Sequence, residues 1–260
     1  MIVSLQASRR HSSKIFAVML VMIITGMSVW LSLRPASYVN DVLCLHEVTL
    51  GLLGHQTATG TLPAGVDSHS IDGAVVRHSW RAAILNRFAE PDCVYDFDCE
   101  WSSDRNARAR LCAAMIYAGI YVSTSPHDHE RSTTNVIALS GDDTALSVGG
   151  RLGGHEDSLP ADIIVVVSGS NLPIQPLEPA DPNIADLAKW RGTMGEYLGI
   201  ENAFAVLFGD GTIWVLSQQT PASVFVRFGT VEGAKAYDRE VILRPWLIRE
   251  MRGPLPSARN

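Results

Sequence analysis

The sequence predicts an α+β protein: a long N-terminal membrane helix packed on an antiparallel-sheet head. Three observations carry this. Residues 15–33 form an uninterrupted apolar run, IFAVMLVMIITGMSVWLSL, without a formal charge. Helical periodicity dominates to about residue 120, and β-branched runs with turn signals dominate after it. Asp210-Gly211 then sits between two apolar stretches, the strongest short-range hairpin signal in the chain.

The apolar run is nineteen residues long. At about 1.5 Å per residue it matches the hydrocarbon thickness of a bilayer as one helix. Arg9, Arg10 and Lys14 precede it and only Arg34 follows closely, which keeps the N-terminus cytoplasmic and exports the rest. Trp30 falls at the far interface, where an indole is at home. A cleaved signal peptide would have an apolar core of about 7–15 residues ending in small residues, whereas this run is longer and Pro35-Ala36-Ser37 is a poor cleavage site. The predicted organisation is therefore a cytoplasmic tail (1–14), a transmembrane helix (15–33), an extracytoplasmic head (34–249) and a loose tail (250–260). The setting is the cytoplasmic membrane, single-pass, with the head periplasmic or extracellular.

Roughly 225 residues lie beyond the run, enough for one sizeable core or two small ones. Net charge is −6 and no basic block follows the membrane segment, so nucleic acid is not expected as a partner. The four cysteines, Cys44, Cys93, Cys99 and Cys112, allow three pairings. Outside the cytoplasm disulfides are permitted, and Cys93 and Cys99, enclosing a short loop, are a plausible pair. None lies in a CxxC, so no redox motif or zinc knuckle is supported.

Tyr38–Leu53 reads as a helix continuing roughly the axis of the membrane segment, with a broad apolar surface from Val39, Val42, Leu43, Leu45, Val48, Leu50, Leu52 and Leu53, gone by Gly60. Residues 57–76 have no periodicity and read as loop. Ser79 can cap a short helix in which Trp80, Ile84, Leu85 and Phe88 share a face. His78 reads as a group bonding at that helix start. Ser103 or Asp104 caps a third helix, Arg105–Ile120, with Ala109, Leu111, Cys112, Met115 and Ile116 inward. Thr133–Leu139 and Ile163–Val167 read as strands. Ala203–Phe208 and Thr212–Leu216 form the hairpin, with a primed turn at Asp210-Gly211 that needs φ > 0 at Gly211, and Ser223–Phe228 suggests a further strand. Four prolines between 173 and 182 delay regular structure to a short helix over 184–191. Residues 233–243 can be helical.

Candidate chemistry is sparse. His127-Asp128-His129-Glu130, with His155, is the best metal candidate, since imidazole and carboxylate are zinc ligands; a solvated polar loop explains the same residues. Asp96, Asp98 and Glu100 offer oxygens to a calcium ion but lack the ligand count of an EF-hand. His78 and Ser79 are adjacent and point apart, so they do not make a nucleophile–base pair. No Gly-x-Ser-x-Gly elbow or dinucleotide fingerprint is present. No cofactor and no catalytic residue are assigned. A groove lined by Trp80, Trp101 and Trp214 would favour a binding module, and converging histidines and a carboxylate a hydrolase.

Several of these pieces, in order from about residue 15 to 217, resemble the planctomycete pilin-like proteins that pair a prepilin-type N-terminus with a domain of unknown function (number 1559). The resemblance rests on Cys44 in the first helix, Gly60-Thr61-Leu62-Pro63, His78-Ser79-Trp80-Arg81, Tyr95-Asp96-Phe97-Asp98 with Trp101, Thr134-Asn135-Val136, Glu178-Pro179-Ala180-Asp181, and Phe208-Gly209-Asp210-Gly211. It implies a pilin-like fold and a non-catalytic structural or surface role. It also implies the lipid bilayer and pilin-like subunits or other envelope proteins as partners. Cys44, Cys93, Cys99, Cys112, Trp80, Arg81, Asp210 and Gly211 would then serve as structural residues. The chain departs from the family at the processing site, where Ser13-Lys14-Ile15-Phe16-Ala17 has no glycine and the apolar run has no glutamate. That departure points to a component outside the shaft of a type II secretion or type IV pilus-like assembly. The family's Cys-Pro-Ser is replaced by Ser123-Thr124-Ser125-Pro126, so its disulfide is absent or rebuilt.

Overall fold

The computed structural model describes residues 38–71, 73–88, 93–117, 133–153 and 158–252. The apolar run 15–33 and the residues around it lie outside these. Among the described residues no helix is long and apolar enough to cross a membrane. The described chain is α+β with antiparallel sheets.

Helix α1 (Tyr38–Thr59) buries Val42, Cys44, Leu45, Val48, Thr49, Gly51 and Leu52, a stripe recurring every three to four residues. The stripe lies on a five-stranded sheet of order β3-β4-β5-β6-β7: Val136–Ile137, Ile164–Ser168, Ala203–Phe208, Thr212–Ser217 and Leu247–Arg252. Every neighbouring pair is antiparallel. Strand β5 explains the close fit. Ala203, Ala205 and Leu207 face α1, while Phe204, Val206 and Phe208 face the opposite side. The two alanines leave room for Leu45, Val48 and Leu52, all fully buried. Each contributes about 1.5–3 kcal/mol by leaving water.

The opposite face is covered by short helices. These are α4 (Ile184–Lys189), α5 (Met194–Leu198), α6 (Ala222–Phe225) and, after α7 (Val231–Ala236), whose Val231 and Ala234 pack with the core on the α1 side, α8 (Arg239–Ile242), with 3-10 turns at Val226–Phe228 and Arg244–Trp246. Leu187, Met194, Leu198, Phe225, Phe228 and Leu243 fill the space under Phe204, Phe208 and Trp214. Helix α5 carries a full capping box: Thr193 accepts from the Glu196 backbone and Glu196 reaches back to the Thr193 backbone.

Beside α1, strands β1 (Val66–Ile71) and β2 (Ala74–Ser79) make a separate two-stranded ribbon. It leads into α2 (Trp80–Leu85), capped by Ser79, whose hydroxyl accepts from the Arg81 backbone. Helix α3 (Ala107–Tyr117) follows a 3-10 turn capped by Ser103.

Several sequence expectations change. Residues 57–76 are not loop: α1 runs to Thr59 and the ribbon begins at Val66. Its strand VDSHSI is exposed along most of its length and so lacks the apolar alternation that marks a half-buried strand. Ser223–Phe228 is helical, because Phe225 and Phe228 bury one face at a spacing of three. Of Thr133–Leu139 only Val136–Ile137 is strand; the Ala138 N–H is captured by the Asp181 carboxylate at 3.0 Å instead of a ladder partner. In α3, Leu111 and Ile116 are only half-buried and Met115 is exposed, while Ala113, Ala114 and Tyr117 turn inward. The head boundary set at 249 falls inside β7, an edge strand whose Arg249 and Glu250 are exposed and read as tail. Cys93 pairs with Cys112, not Cys99, across a separation of 19 residues, tying the segment before Tyr95 to α3. Cys44 and Cys99 are free thiols.

Candidate functional site

Of the residues singled out in sequence, Trp80 and Arg81 open α2. Arg81, its second residue, is fully buried, yet all five of its N–H groups find acceptors. Nε donates to the Pro176 carbonyl at 2.9 Å. Nη1 donates to Val136 O and, at 2.7 Å, to the Asp181 carboxylate. Nη2 donates to the carbonyls of Glu178 and Ala180. Asp181 also accepts from Trp80 Nε1 at 3.0 Å and from the Ala138 N–H. Burial raises the Asp181 carboxyl, and Arg81, Ala138 and Trp80 act against that rise by favouring the charge. Tyr117 Oη donates to the Arg81 carbonyl, fastening α3 to the same point. The proline-rich segment has no regular structure of its own and is held by its carbonyls on one guanidinium. With no N–H left over, Arg81 has nothing to offer a substrate. Its chemistry here is to fix a fold.

A second cluster lies at the end of β2. His78 is fully buried, with Nδ1 2.8 Å from Tyr95 Oη and Nε2 3.3 Å from His69 Nε2. His69 Nε2 is also 3.0 Å from the Phe97 carbonyl. The Phe97 and Tyr95 rings stand steeply inclined to the His78 ring, 70° and 84° between planes, in edge-to-face contact. His78 therefore belongs to the ribbon and the aromatic-acidic segment, not to the helix start. Asp96 pairs with Arg105 and accepts from the Asp98 N–H, so its carboxylate is engaged within the protein.

The third cluster closes the β5–β6 hairpin. Its loop is Gly209-Asp210-Gly211, with Gly211 N–H donating to Phe208 O and Gly211 at φ +80°. This is a three-residue loop ending in a left-handed glycine, rather than the expected two-residue turn. Asp210 accepts from the Thr212 backbone and hydroxyl and pairs with Arg239. Burial raises the Asp210 carboxyl, but Arg239 and Thr212 outweigh it and hold it below the ordinary carboxylate range. Arg239 lies over the rings of Phe208 and Trp214 and reaches Asp162 as well. Sequence reading missed Arg239, since one arginine in a short amphipathic helix gives no sign of the carboxylates it meets. It missed Asp41 for the same reason. That carboxyl, near Ser168 and Asn135 where α1 meets the sheet, is pushed up to about 6 by burial.

The structure does not bring the other candidates together. Trp80 and Trp101 belong to the α1 side of the sheet and Trp214 to the opposite side, so no groove joins them. His127, His129, Glu130 and His155 lie outside the described residues. Among the described residues no group of three or more His, Cys, Asp or Glu side chains is placed to hold a metal. Cys44 is buried, its Sγ donating to the Ile116 carbonyl, and desolvation pushes its thiol up to about 12. Such a thiol is inert as a nucleophile. Cys99, half-buried, faces Asp96 O and Asn106 Nδ2. Comparison with protein-family models, with curated proteins and with solved structures finds no match to this chain.

Proposed function

We propose that this chain is a membrane-anchored, extracytoplasmic pilin-like structural or surface protein without catalytic activity, standing outside the shaft of any pilus-like assembly. The observation that carries the reading is the use made of the singled-out residues. Trp80, Arg81 and Asp181 spend their polar atoms on one another and on backbone, and Asp210 does the same with Arg239 and Thr212. Helix α1 supports it: one side lies on the sheet, while Leu43 and Leu50, seven residues apart on the other, are about half exposed. In sequence, four residues separate the end of the apolar run from the start of α1. A charge-free run anchors the chain in lipid, and the three basic residues before it resist extraction from the membrane into a fibre.

The test is mild-detergent extraction of the full chain carrying Leu43→Cys, then thiol cross-linking against the unsubstituted control and mass spectrometry of the N-terminus. The expected result is an intact N-terminus with monomers or one discrete cross-linked partner. A ladder of high-order oligomers built from chains trimmed before Ile15 contradicts the non-shaft reading.

A further inference from the structure

We propose that His69 and His78 form a proton-operated latch that holds the β1–β2 ribbon on the Tyr95–Phe97 segment at neutral pH and releases it in acid. The inference follows from counting protons. The Phe97 carbonyl can only accept, so His69 Nε2, at 3.0 Å from it, carries the hydrogen. That N–H is directed between Phe97 O and His78 Nε2, which at 3.3 Å must supply a lone pair. Neutral His78 then carries its proton on Nδ1 and donates to Tyr95 Oη at 2.8 Å. One arrangement satisfies all three contacts, and in it His78 is neutral.

Protonating His78 puts a second hydrogen on Nε2, facing the His69 N–H. Two donors then meet at hydrogen-bond distance, and the Phe97 carbonyl, already taken by His69, is the acceptor they must share. His69 cannot move its proton to Nδ1 without abandoning the Phe97 carbonyl. The cation would also sit fully buried, packed against the Tyr95 and Phe97 rings. Burial first, and His69 second, lower the His78 pKa, against Asp67, Glu100 and the Phe97 carbonyl, which raise it. Tyr95 in turn faces Cys99, Glu100, Asp96 and Arg110. Because the folded pKa lies below the ordinary value of 6.5, the pair stabilises the closed ribbon fully above that value. The contribution falls away as pH drops below it toward the folded pKa.

The ribbon is the element suited to respond. It forms its own two-stranded sheet, is exposed along most of β1, and two-stranded ribbons are marginal without packing. Losing the His78 contacts frees it without touching the ladder of the five-stranded sheet. Two histidines 3.3 Å apart also suit a transition metal, but no third ligand joins them among the described residues, which favours the proton.

The experiment is histidine ¹⁵N NMR with amide hydrogen exchange on the full-length chain in mild detergent, from about pH 7.5 to pH 5. Expected are a neutral Nδ1–H tautomer of His78 at the upper pH and a loss of about tenfold in protection of residues 66–79 at the lower one, after correction for intrinsic exchange. Strands β4–β6 should keep their protection. His69→Gln keeps an amide donor for Phe97 O and offers an oxygen to a charged His78, so it should abolish most of that loss. If His78 takes up its proton near its ordinary pKa with the ribbon still protected, the latch is wrong. Zinc broadening both imidazoles at micromolar concentration in the wild-type chain would make the pair a metal site and overturn the proposal. The wild-type measurement stands alone if the variant fails to fold.

Discussion

At the scale of single residues, the strongest expectations concern charges that left water. Asp181→Asn leaves Arg81 buried without a counter-charge and should cost about 3–5 kcal/mol in denaturant unfolding. Arg81→Lys should cost nearly as much, since an ammonium cannot reach carbonyls spread from Pro176 to Ala180. The exposed pair Asp186–Lys189 is the control and should show no measurable loss when broken. Asp41 behaves in the opposite sense to a paired acid. Its pKa rises from 3.8 to about 6 on folding, so the native state holds that proton more tightly than the unfolded chain. Stability is greatest below the lower value and declines as pH rises through the window to the upper one. Asp41→Asn should therefore match wild type near pH 4 and exceed it at neutral pH by up to about 3 kcal/mol, read from urea titrations at both pH values. The glycine loop shows where sequence reasoning fell short. A two-residue turn at Asp210-Gly211 predicts that Gly211→Val is more harmful than Gly209→Ala. The structure removes that ranking: Gly211 needs its positive φ, but a Cβ at Gly209 would lie 2.2 Å from the Pro160 carbonyl. Both substitutions should destabilise by about 1–3 kcal/mol, measured by thermal unfolding.

Elements were legible wherever one side chain pattern faced one environment. Helix α1, the Ser79-capped α2, strand β4 and the β5–β6 hairpin stand where their apolar spacing and caps place them. Elements shaped by partners far along the chain were not. Val136–Ile137 is cut short by an acid 43 positions from Ala138, and a local window holds no trace of it. Cys93 finds Cys112 because α3 turns that face toward the Cys93 segment, whereas sequence offered only proximity to Cys99. The disulfide closes a loop of 19 residues, for which chain entropy gives about 3 kcal/mol. Cys112→Ala should lower the free energy of unfolding by about that amount. Its losses should concentrate in hydrogen exchange over residues 93–117. Uniform loss across the β-sheet would show that α3 and the sheet unfold as one unit.

For the whole molecule, the described residues give a sheet covered on one face by α1 and on the other by short helices, with buried ionic clamps at Arg81 and Arg239. The α+β class was readable from the change of period near residue 120. The second cover was not, because its helices have four to six residues each, too short for a periodic pattern. The central functional claim is that such a head is displayed outside the cytoplasm on a lipid anchor. Labelling with a membrane-impermeant thiol reagent tests it most directly. The chain carries Asn202→Cys at an exposed position, and intact cells are compared with lysed cells after alkaline washing of the membranes. The account predicts that residue 202 is labelled from outside once any outer barrier is opened, and that the labelled chain stays with the washed membranes. Labelling only after the cytoplasm is released, with the chain in the wash, would contradict it.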